Sequence, residues 1–405
     1  MTDTQSALPR APQQAPRRGL ALHGEEPVRA GPILPYARQL VEAEDVAAVV
    51  EVLRSPWLTT GPKVAEFEEA VAAYVGAAYA VAFSSGTAAL HGAVSAAGVG
   101  EGDEGITTPL TFCATANCLL FQGAQPVFAD VEEATLMIDP QAIQSRITRK
   151  TKVILPVDYG GHPARLDAIR ALSRRHGLLV IEDACHALGA EYGGRRIGSL
   201  SDITVFSFHP VKHITTGEGG MAVTNDAALA ARLRRFRNHG IVRRAKDRTS
   251  RPWYYEMVEL GYNYRISDIA CALGRSQLSR LAQNLARRRA IAQRYTERFS
   301  ALPGLQVPVV SPEARPAWHL YPVRIASRLG RDRVFRALRE EQIGVNVHYI
   351  PVTRHPYYRK RFGYRRGAHP VAERAARQLI SLPMFHGMSD RDVERVIQSV
   401  EKVLG

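Results

Sequence analysis

The chain has 405 residues, of which 45% are hydrophobic and 23% are charged, proportions typical of a soluble globular protein. No apolar run approaches the ~20 residues that a transmembrane helix needs, so we expect no membrane contact. A chain of this length can bury a full core and is predicted to form one large and one smaller domain.

The formal net charge of +14 is compatible with a nucleic-acid partner. However, the arginines are spread along predicted helical faces, and no DNA-binding motif accompanies them. We therefore predict no nucleic-acid partner, and local positive potential for a phosphorylated ligand explains the charge as well.

The four cysteines lack CxxC spacing and lie in apolar patterns. They are predicted to be reduced core residues of a cytoplasmic protein, and neither disulfides nor metal ligands.

Residues 1–31 contain Pro, Gln, Ala and Arg without apolar periodicity, and they lack the apolar centre of a secretory signal. We interpret them as a disordered basic arm.

From residue 42 onwards, helical and strand patterns follow one another. Helices are predicted at 42–53, 63–75, 88–97, 111–121, 140–146, 166–176, 226–238 and 267–281. Strands are predicted at 77–83, 104–108, 126–130, 152–157, 178–182, 203–208 and 221–224. This alternation predicts an α/β fold with a mostly parallel sheet that helices cover on both faces. In such sheets the ligand lies beyond the carboxyl ends of the strands.

A turn of small residues joins the strand 77–83 to the next helix. Free backbone N–H groups and the helix dipole attract an anion at such a place, which makes Ser85, Gly86 and Thr87 candidate phosphate ligands. A routine helix cap is the plain alternative, since Ser and Thr favour that position anyway.

Two further strands end in chemically useful residues. Asp183 follows the apolar strand 178–182, and Ser207 with Lys212 follows the strand that begins at residue 203. Of the 53 basic residues, only seven are lysine and 46 are arginine, yet lysine stands here beside a glycine-rich turn. A desolvated lysine can form a Schiff base, which arginine cannot, and this favours a carbonyl cofactor such as pyridoxal phosphate. Asp183 would keep the pyridine nitrogen protonated. A surface lysine and a capping aspartate are the alternatives when each residue is taken singly.

From about residue 285 the pattern changes to a long arginine-rich helix, strands at 307–310 and 319–324, a helix at 331–341 and a strand at 345–349. We predict a large domain over residues 32–284 and a smaller C-terminal α+β domain over residues 285–405.

Four motifs resemble one family: SSGTAAL at 84–90, IEDACHALG at 181–189, FSFHPVKHITTGEGG at 206–220 and GYNYR at 261–265. They resemble the DegT/DnrJ/EryC1/StrS family of pyridoxal-phosphate sugar aminotransferases, over a match from about residue 34 to the C-terminus. The resemblance implies the type I aminotransferase fold and a homodimer with shared active sites.

By position, the resemblance implies that Lys212 carries the cofactor and shuttles the proton, while Asp183 pairs with the pyridine nitrogen. Phe112 would stack on the ring, and His186 would pack near it. The implied phosphate ligands are Gly86, Thr87, Ser207 and, from the partner subunit, Asn263.

The family resemblance also implies sugar-nucleotide contacts. Their counterparts are Tyr36, Pro56, Trp57, Leu58, Thr59, Ser85, Asn346, Val347, His348 and Tyr349. Phrases such as LPYARQ at 34–39 and SPWLTTGPK at 55–63 are closest to the pseudaminic-acid branch of the family. The implied reaction moves an amino group from L-glutamate to C4 of a UDP-linked 4-keto-6-deoxy-N-acetyl sugar.

Two features depart from the family pattern: the N-terminal arm, and Gly105 in a strand that usually carries an aliphatic residue there. We expect Gly105 to loosen that strand slightly. Two alternatives stay open: a transaminase for another nucleotide-linked 4-keto sugar, of the bacillosamine or dTDP type, and a cofactor-binding regulator without turnover.

Overall fold

The structure is a computed structural model that describes residues 32–243 and 250–405. The arm predicted over residues 1–31 lies outside the described residues. None of the described helices is both long and apolar enough to cross a membrane.

The largest element of the fold is a seven-stranded sheet. Its strands are β1 (Tyr79–Phe83), β2 (Glu104–Thr107), β3 (Gln125–Phe128), β4 (Thr151–Leu155), β5 (Leu179–Asp183), β8 (Ile203–Ser207) and β9 (Gly220–Thr224), while β6 (Glu191–Tyr192) and β7 (Arg195–Arg196) form a separate hairpin. The order across the sheet is β1-β9-β8-β5-β4-β2-β3. Strand β9 runs antiparallel to both neighbours, and every other neighbouring pair is parallel. The prediction of a mostly parallel sheet is confirmed.

Helices cover both faces of this sheet. They are α1 (Ala43–Leu53), α2 (Pro62–Val75), α3 (Gly86–Ala96), α4 (Ala114–Phe121), α5 (Pro140–Gln144), α6 (Leu166–His176), α7 (Ala227–Arg237) and α8 (Asp268–Ser279). Successive strand residues point to opposite faces, so Phe206 packs in the core beneath α2 and α6, whereas Val205 packs in the core beneath α3 and α7. Burial on both faces explains why these strands are continuously apolar in sequence.

The C-terminal part is built around a three-stranded antiparallel sheet. Its elements are α9 (Leu281–Phe299), β12 (Leu305–Gln306), β14 (Tyr321–Ile325), α10 (Arg331–Glu340), α11 (Pro356–Phe362), α12 (Pro370–Ala376), β15 (Leu379–Leu382) and α13 (Asp390–Leu404). Short strands β10 (Ile241–Val242), β11 (Glu256–Met257) and β13 (Ala314–Arg315) complete the set.

Three local predictions were wrong. Residues 307–310 form no strand, and residues 345–349 make only one bridge, between Asn346 and Ser381. The segment 345–349 leaves the sheet because its last two side chains, His348 and Tyr349, turn into a cavity of the large sheet. The helix predicted from residue 111 begins at Ala114, which leaves Phe112 on the preceding turn.

Helix α9 spans the predicted domain boundary at residues 284 and 285. Its residues Leu281 and Leu285 belong to the core of the large sheet, whereas Ile291 and Tyr295 belong to the C-terminal core. The fully buried Arg288 lies between these two groups of residues. It donates hydrogen bonds to the backbone carbonyls of Trp318 and Met384 in the C-terminal part. The division at 284 remains a prediction, and this helix joins the two sides.

Gly105 has a packing role that its departure from the family pattern did not indicate. A Cβ atom at Gly105 would lie 2.4 Å from Cδ2 of the buried Leu119 in α4. The leucine side chain occupies the space that an aliphatic residue at 105 would fill. The expected loosening of β2 is therefore offset by packing from the neighbouring helix.

Candidate active site

A cavity of about 420 Å³ opens at the carboxyl ends of the parallel strands. Its walls come from the segments that follow β1, β2, β4, β5 and β8, together with the C-terminal segment that carries His348. The cavity brings together eleven of the residues singled out from sequence: Tyr36, Ser85, Gly86, Thr87, Phe112, Asp183, His186, Ser207, Lys212, His348 and Tyr349. Its size is that of a pocket for a small molecule or cofactor.

Lys212 lies half-buried in the cavity wall, on the turn after β8. Its backbone N–H donates to the carbonyl of His209 at 2.9 Å, which fixes the turn. Within residues 32–243 and 250–405, its Nζ makes no hydrogen bond or ion pair. Burial lowers the pKa of Lys212, against the opposing effects of Cys185 and Asp183. The amine is thus free, and its pKa shift favours the neutral, nucleophilic form.

The carboxylate of Asp183 is held from two sides. Oδ2 accepts a hydrogen bond from the Thr115 hydroxyl at 2.7 Å, and Oδ1 accepts the Cys185 N–H at 3.2 Å. The Thr111 and Thr115 hydroxyls are 2.8 Å apart, so Thr111 can donate to Thr115 in turn. Asp183 itself is only 6% exposed. Because both oxygens accept donors along the cavity wall, the carboxylate has a defined orientation.

Two more carboxyl groups lie buried behind Asp183, those of Asp158 and Glu182. Glu182 Oε2 accepts the hydroxyls of Ser201 and Thr204, both at 2.9 Å. The carboxyl groups of Asp158 and Glu182 hydrogen-bond to each other. Asp158 Oδ2 and Glu182 Oε1 have no other partner within the described residues. Such a bond needs a shared proton. Burial, then the neighbouring Glu182, raises the pKa of Asp158, so the proton resides on Asp158.

The N-terminus of α3 forms one end of the cavity. Ser85 caps this helix by accepting the Ala88 N–H at 3.1 Å, while the N–H groups of Gly86 and Thr87 have no acceptor within the helix. A Cβ at Gly86 would lie 3.0 Å from Cβ of Ser207, and one at Gly220 would lie 2.5 Å from the carbonyl oxygen of Ser85. Glycine at both positions lets helix start and strand end approach closely, which creates a cradle for an anion.

Four imidazoles surround Lys212. They belong to His186, His213, His319 and His348, and all are buried. Burial lowers the pKa of each, and the Lys212 charge lowers it further; the pKa of His348 falls to about 4. These side chains are therefore neutral at physiological pH. The phenol of Tyr36 packs on His348, with ring centroids 5.4 Å apart.

Several predicted residues lie outside the cavity wall of their own chain. Pro56, Trp57, Leu58 and Thr59 form an exposed segment, which the Asp268 N–H anchors by donating to the Leu58 carbonyl at 3.0 Å. Asn263 is also exposed and bridges Asn238. Asn346 reaches the site indirectly, through a hydrogen bond with the Tyr36 side chain, and Val347 does not line the cavity.

Sequence reasoning missed other residues of the site. Thr115 was overlooked although Thr111 and Thr115 are four residues apart, a spacing that allows both to face one side of a helical turn. The cavity wall also contains Val157, His209, Val211, Glu218 and His319. His209 and Glu218 stand in the motif around Lys212, so proximity to that lysine was an available signal. For His319, which lies in the C-terminal region, sequence offered none.

The residues present fit pyridoxal phosphate. The free amine of Lys212 suits its aldehyde, the oriented carboxylate of Asp183 suits its ring nitrogen, and the cradle at Gly86 suits its phosphate. Phe112 is 57% exposed and offers an aromatic face on the cavity wall. The fold and this site define a pyridoxal-phosphate-dependent aminotransferase of fold type I.

Comparison with known proteins agrees with that class. The model of the DegT/DnrJ/EryC1/StrS aminotransferase family matches residues 39–401. The spore coat polysaccharide biosynthesis protein SpsC of Bacillus subtilis is 45% identical over 377 residues, covering 92% of this chain and 97% of SpsC. The chain belongs to the DegT/DnrJ/EryC1/StrS aminotransferase family, whose cofactor is pyridoxal phosphate.

Solved structures are similar over nearly the whole described chain. Helicobacter pylori PseC, an aminotransferase involved in pseudaminic acid biosynthesis, has a TM-score of 0.86 at 32% identity and covers 92% of this chain and 99% of its own. S. venezuelae DesV in complex with a ketimine intermediate has a TM-score of 0.85 at 36% identity, covering 92% and 98%.

We predict that Thr115→Val weakens the site through Asp183. The variant removes a hydrogen bond to a buried carboxylate, so we expect a loss of about 1.5–3 kcal/mol in the free energy of unfolding. Urea denaturation measures this loss, and in an Asp183→Ala background, which removes the acceptor, most of it should disappear. As a control, Thr353→Val should be neutral or stabilising, because the buried Thr353 hydroxyl has no partner in the described residues. An equal loss in both backgrounds would contradict the role of Thr115.

We predict that Asp158→Asn changes how stability depends on pH. A carboxyl whose pKa is raised by folding stabilises the protein below its unfolded pKa of about 4, and this contribution is lost as the pH rises towards the folded pKa. The neutral amide avoids that loss. Relative to wild type, Asp158→Asn should therefore gain stability with rising pH, by up to about 1.4 kcal/mol per pH unit. Denaturation from pH 5 to pH 8 tests this. Asp332→Asn, at an exposed carboxylate, should show no such trend.

Proposed function

We propose that the chain transfers an amino group from L-glutamate to C4 of UDP-2-acetamido-2,6-dideoxy-β-L-arabino-hex-4-ulose, forming UDP-4-amino-4,6-dideoxy-N-acetyl-β-L-altrosamine. The observation that carries the transamination is the free, half-buried amine of Lys212 in one cavity with the oriented carboxylate of Asp183. A regulator that only binds the cofactor would not need this pair.

The roles of the two residues follow from their chemistry. When bound, pyridoxal phosphate would supply an electron-withdrawing ring and a carrier for the amino nitrogen. Asp183 keeps the ring nitrogen protonated. Lys212, with its lowered pKa, takes a proton from the carbon that loses nitrogen and delivers a proton to the carbon that gains it. The neutral imidazoles around Lys212 add no competing positive charge.

The sugar assignment rests on residues at the other end of the cavity and on likeness. Tyr36 and His348 pack together on the cavity wall, as the counterparts of sugar-nucleotide contacts in the family. The phrases at 34–39 and 55–63 resemble the pseudaminic-acid branch, and PseC is similar in structure over 92% of the chain.

A second candidate is a transaminase for another nucleotide-linked 4-keto sugar. It is favoured by SpsC, a protein named for spore coat polysaccharide biosynthesis, which is 45% identical, whereas PseC is 32% identical. The L-sugar and its D isomer differ at C5, which carries the methyl group, so one or two contacts decide between these substrates.

We also propose a homodimer with shared active sites. Large apolar side chains of the segment 253–260 are exposed: Trp253 by 73%, Leu260 by 73% and Met257 by 66%. A monomer rarely exposes such a surface, and the segment leads directly to Asn263, which lies outside its own cavity. In the dimer, Asn263 would reach the partner's cofactor phosphate.

All four cysteines are free, which supports a reducing, cytoplasmic location.

To test the substrate, the enzyme is first incubated with glutamate so that the cofactor takes up the amino group, and the excess glutamate is then removed. The UDP-4-keto-6-deoxy-L-sugar is added in one sample and its D-gluco isomer in another. We expect the L-sugar to restore the absorbance of the pyridoxal form, with the D-sugar at least about tenfold slower. Restoration by the D-sugar alone would favour the second candidate. Lys212→Ala should bind the cofactor without covalent attachment and show no turnover, and steady turnover by this variant would refute the assignment.

The shared site is tested by mixing two inactive variants. Lys212→Ala lacks the amine, and Asn263→Asp places a carboxylate against the phosphate. After co-refolding, half of the dimers are mixed, and each mixed dimer has one intact site, so activity should return to about a quarter of wild type. If each site uses one chain only, the mixture should stay as inactive as its components.

A further inference from the structure

A short chain of hydrogen bonds connects the turn after β4 to the cavity. The Gly160 N–H donates to Nδ1 of His186 at 3.3 Å, and Nε2 of His186 lies 3.1 Å from the Tyr349 hydroxyl oxygen. A backbone N–H can only donate, so Nδ1 carries no proton. A neutral imidazole has one proton, which therefore resides on Nε2 and is donated to Tyr349.

The surroundings keep His186 neutral. It is 6% exposed, and its pKa is lowered well below the usual range by burial, then by the charge of Lys212 and by His348 and His213. A second imidazole, His319, lies against it with ring centroids 4.3 Å apart. His319 is 3% exposed and equally neutral, because burial and Lys212 lower its pKa. The His319 ring packs against His186 at an interplanar angle of 44° and restricts its rotation.

The hydroxyl proton of Tyr349 is not donated to any acceptor within the described residues. One lone pair of its oxygen accepts the His186 Nε2–H, and the described residues show no second acceptor for this hydroxyl. Burial, then Tyr159 and Asp183, raises the pKa of Tyr349 well above its usual value, so the phenol keeps its proton. The side chain lines the cavity beside Phe112, whose ring centroid is 6.2 Å away.

We propose that His186, with the tilted ring of His319 packed against it, is a positioning residue that makes the Tyr349 hydroxyl a hydrogen-bond donor to an oxygen of the molecule bound in the cavity. The inference rests on the proposed function, because that oxygen belongs either to the cofactor ring or to the 4-keto sugar. Both sources present an oxygen that accepts a hydrogen bond. A histidine with its proton on Nδ1 would instead accept from Tyr349, and the ligand would lose the donor.

The tautomer is measured directly by nuclear magnetic resonance on ¹⁵N-histidine-labelled protein with pyridoxal phosphate bound. The His186→Gln variant identifies the signals of His186 by their loss. We expect a protonated Nε2 and an unprotonated Nδ1, unchanged between about pH 6 and pH 9. A proton on Nδ1, or titration of the ring within this range, would overturn the inference.

The donor role is measured with Tyr349→Phe, which removes only the hydroxyl. We expect one of two results, each a change of roughly three- to tenfold. If the acceptor is the cofactor ring, the cofactor binds more weakly and its visible band shifts before any substrate is added. If the acceptor is the sugar, the band is unchanged and only the sugar half-reaction slows. A loss confined to the glutamate half-reaction, or no change at all, would overturn the inference.

Matched variants separate positioning from general damage. The amide of His186→Gln can accept from Gly160 and donate to Tyr349, so it should stay within about twofold of wild type. His186→Met, of similar size but without a donor, should behave like Tyr349→Phe, and combining the two should add little. Tyr357→Phe, at an exposed phenol, serves as the control and should match wild type.

Two failures are distinguishable. Wild-type protein that is inactive with every keto sugar would refute the proposed function. The inference is refuted by the wrong tautomer, or by a Tyr349→Phe variant whose cofactor band, cofactor affinity and sugar half-reaction all match wild type.

Discussion

The site depends on the backbone pairing that extends β5 beyond its regular hydrogen bonds to β4. The Asp183 N–H donates to the Pro156 carbonyl at 2.9 Å, and the Asp158 N–H donates to the Asp183 carbonyl at 3.1 Å. This pairing fixes the strand end from which the Asp183 side chain enters the cavity. It also places Asp158 beside Glu182. The Asp183 carboxylate therefore faces the cavity on one side of the strand end, and the proton-sharing pair lies on the other.

Charge in the cavity is controlled by burial rather than by ion pairs. Lys212 forms no ion pair within the described residues, and four neutral imidazoles surround it. Desolvation disfavours the charged form of the amine. An amine that acts as a nucleophile and proton carrier must lose that charge readily. The histidines contribute hydrogen bonds without adding positive charge, and this is why they can be packed so closely around a lysine.

Much of the cavity wall was predictable because several residues with useful chemistry follow apolar strands of one sheet. Asp183, Ser207 and Lys212 were found in this way, and parallel strands place their ends at one edge of the sheet. Thr115 and His319 were missed because their importance depends on tertiary contacts: Thr115 meets Asp183 across 68 positions of the chain. The strand predicted at 345–349 was wrong for a related reason, since an extended apolar pattern cannot show that the segment turns into a cavity instead of pairing.

The central claim is that Lys212 is the residue that binds pyridoxal phosphate covalently. The most direct test is to reduce the protein with borohydride in the presence of one equivalent of pyridoxal phosphate and to locate the label by peptide mass spectrometry. The chain has only seven lysines, so each can be followed individually. The structure predicts a label on Lys212 alone, because its amine is free and its pKa is lowered. A label spread over other lysines, or absent from Lys212, would contradict this account of the site.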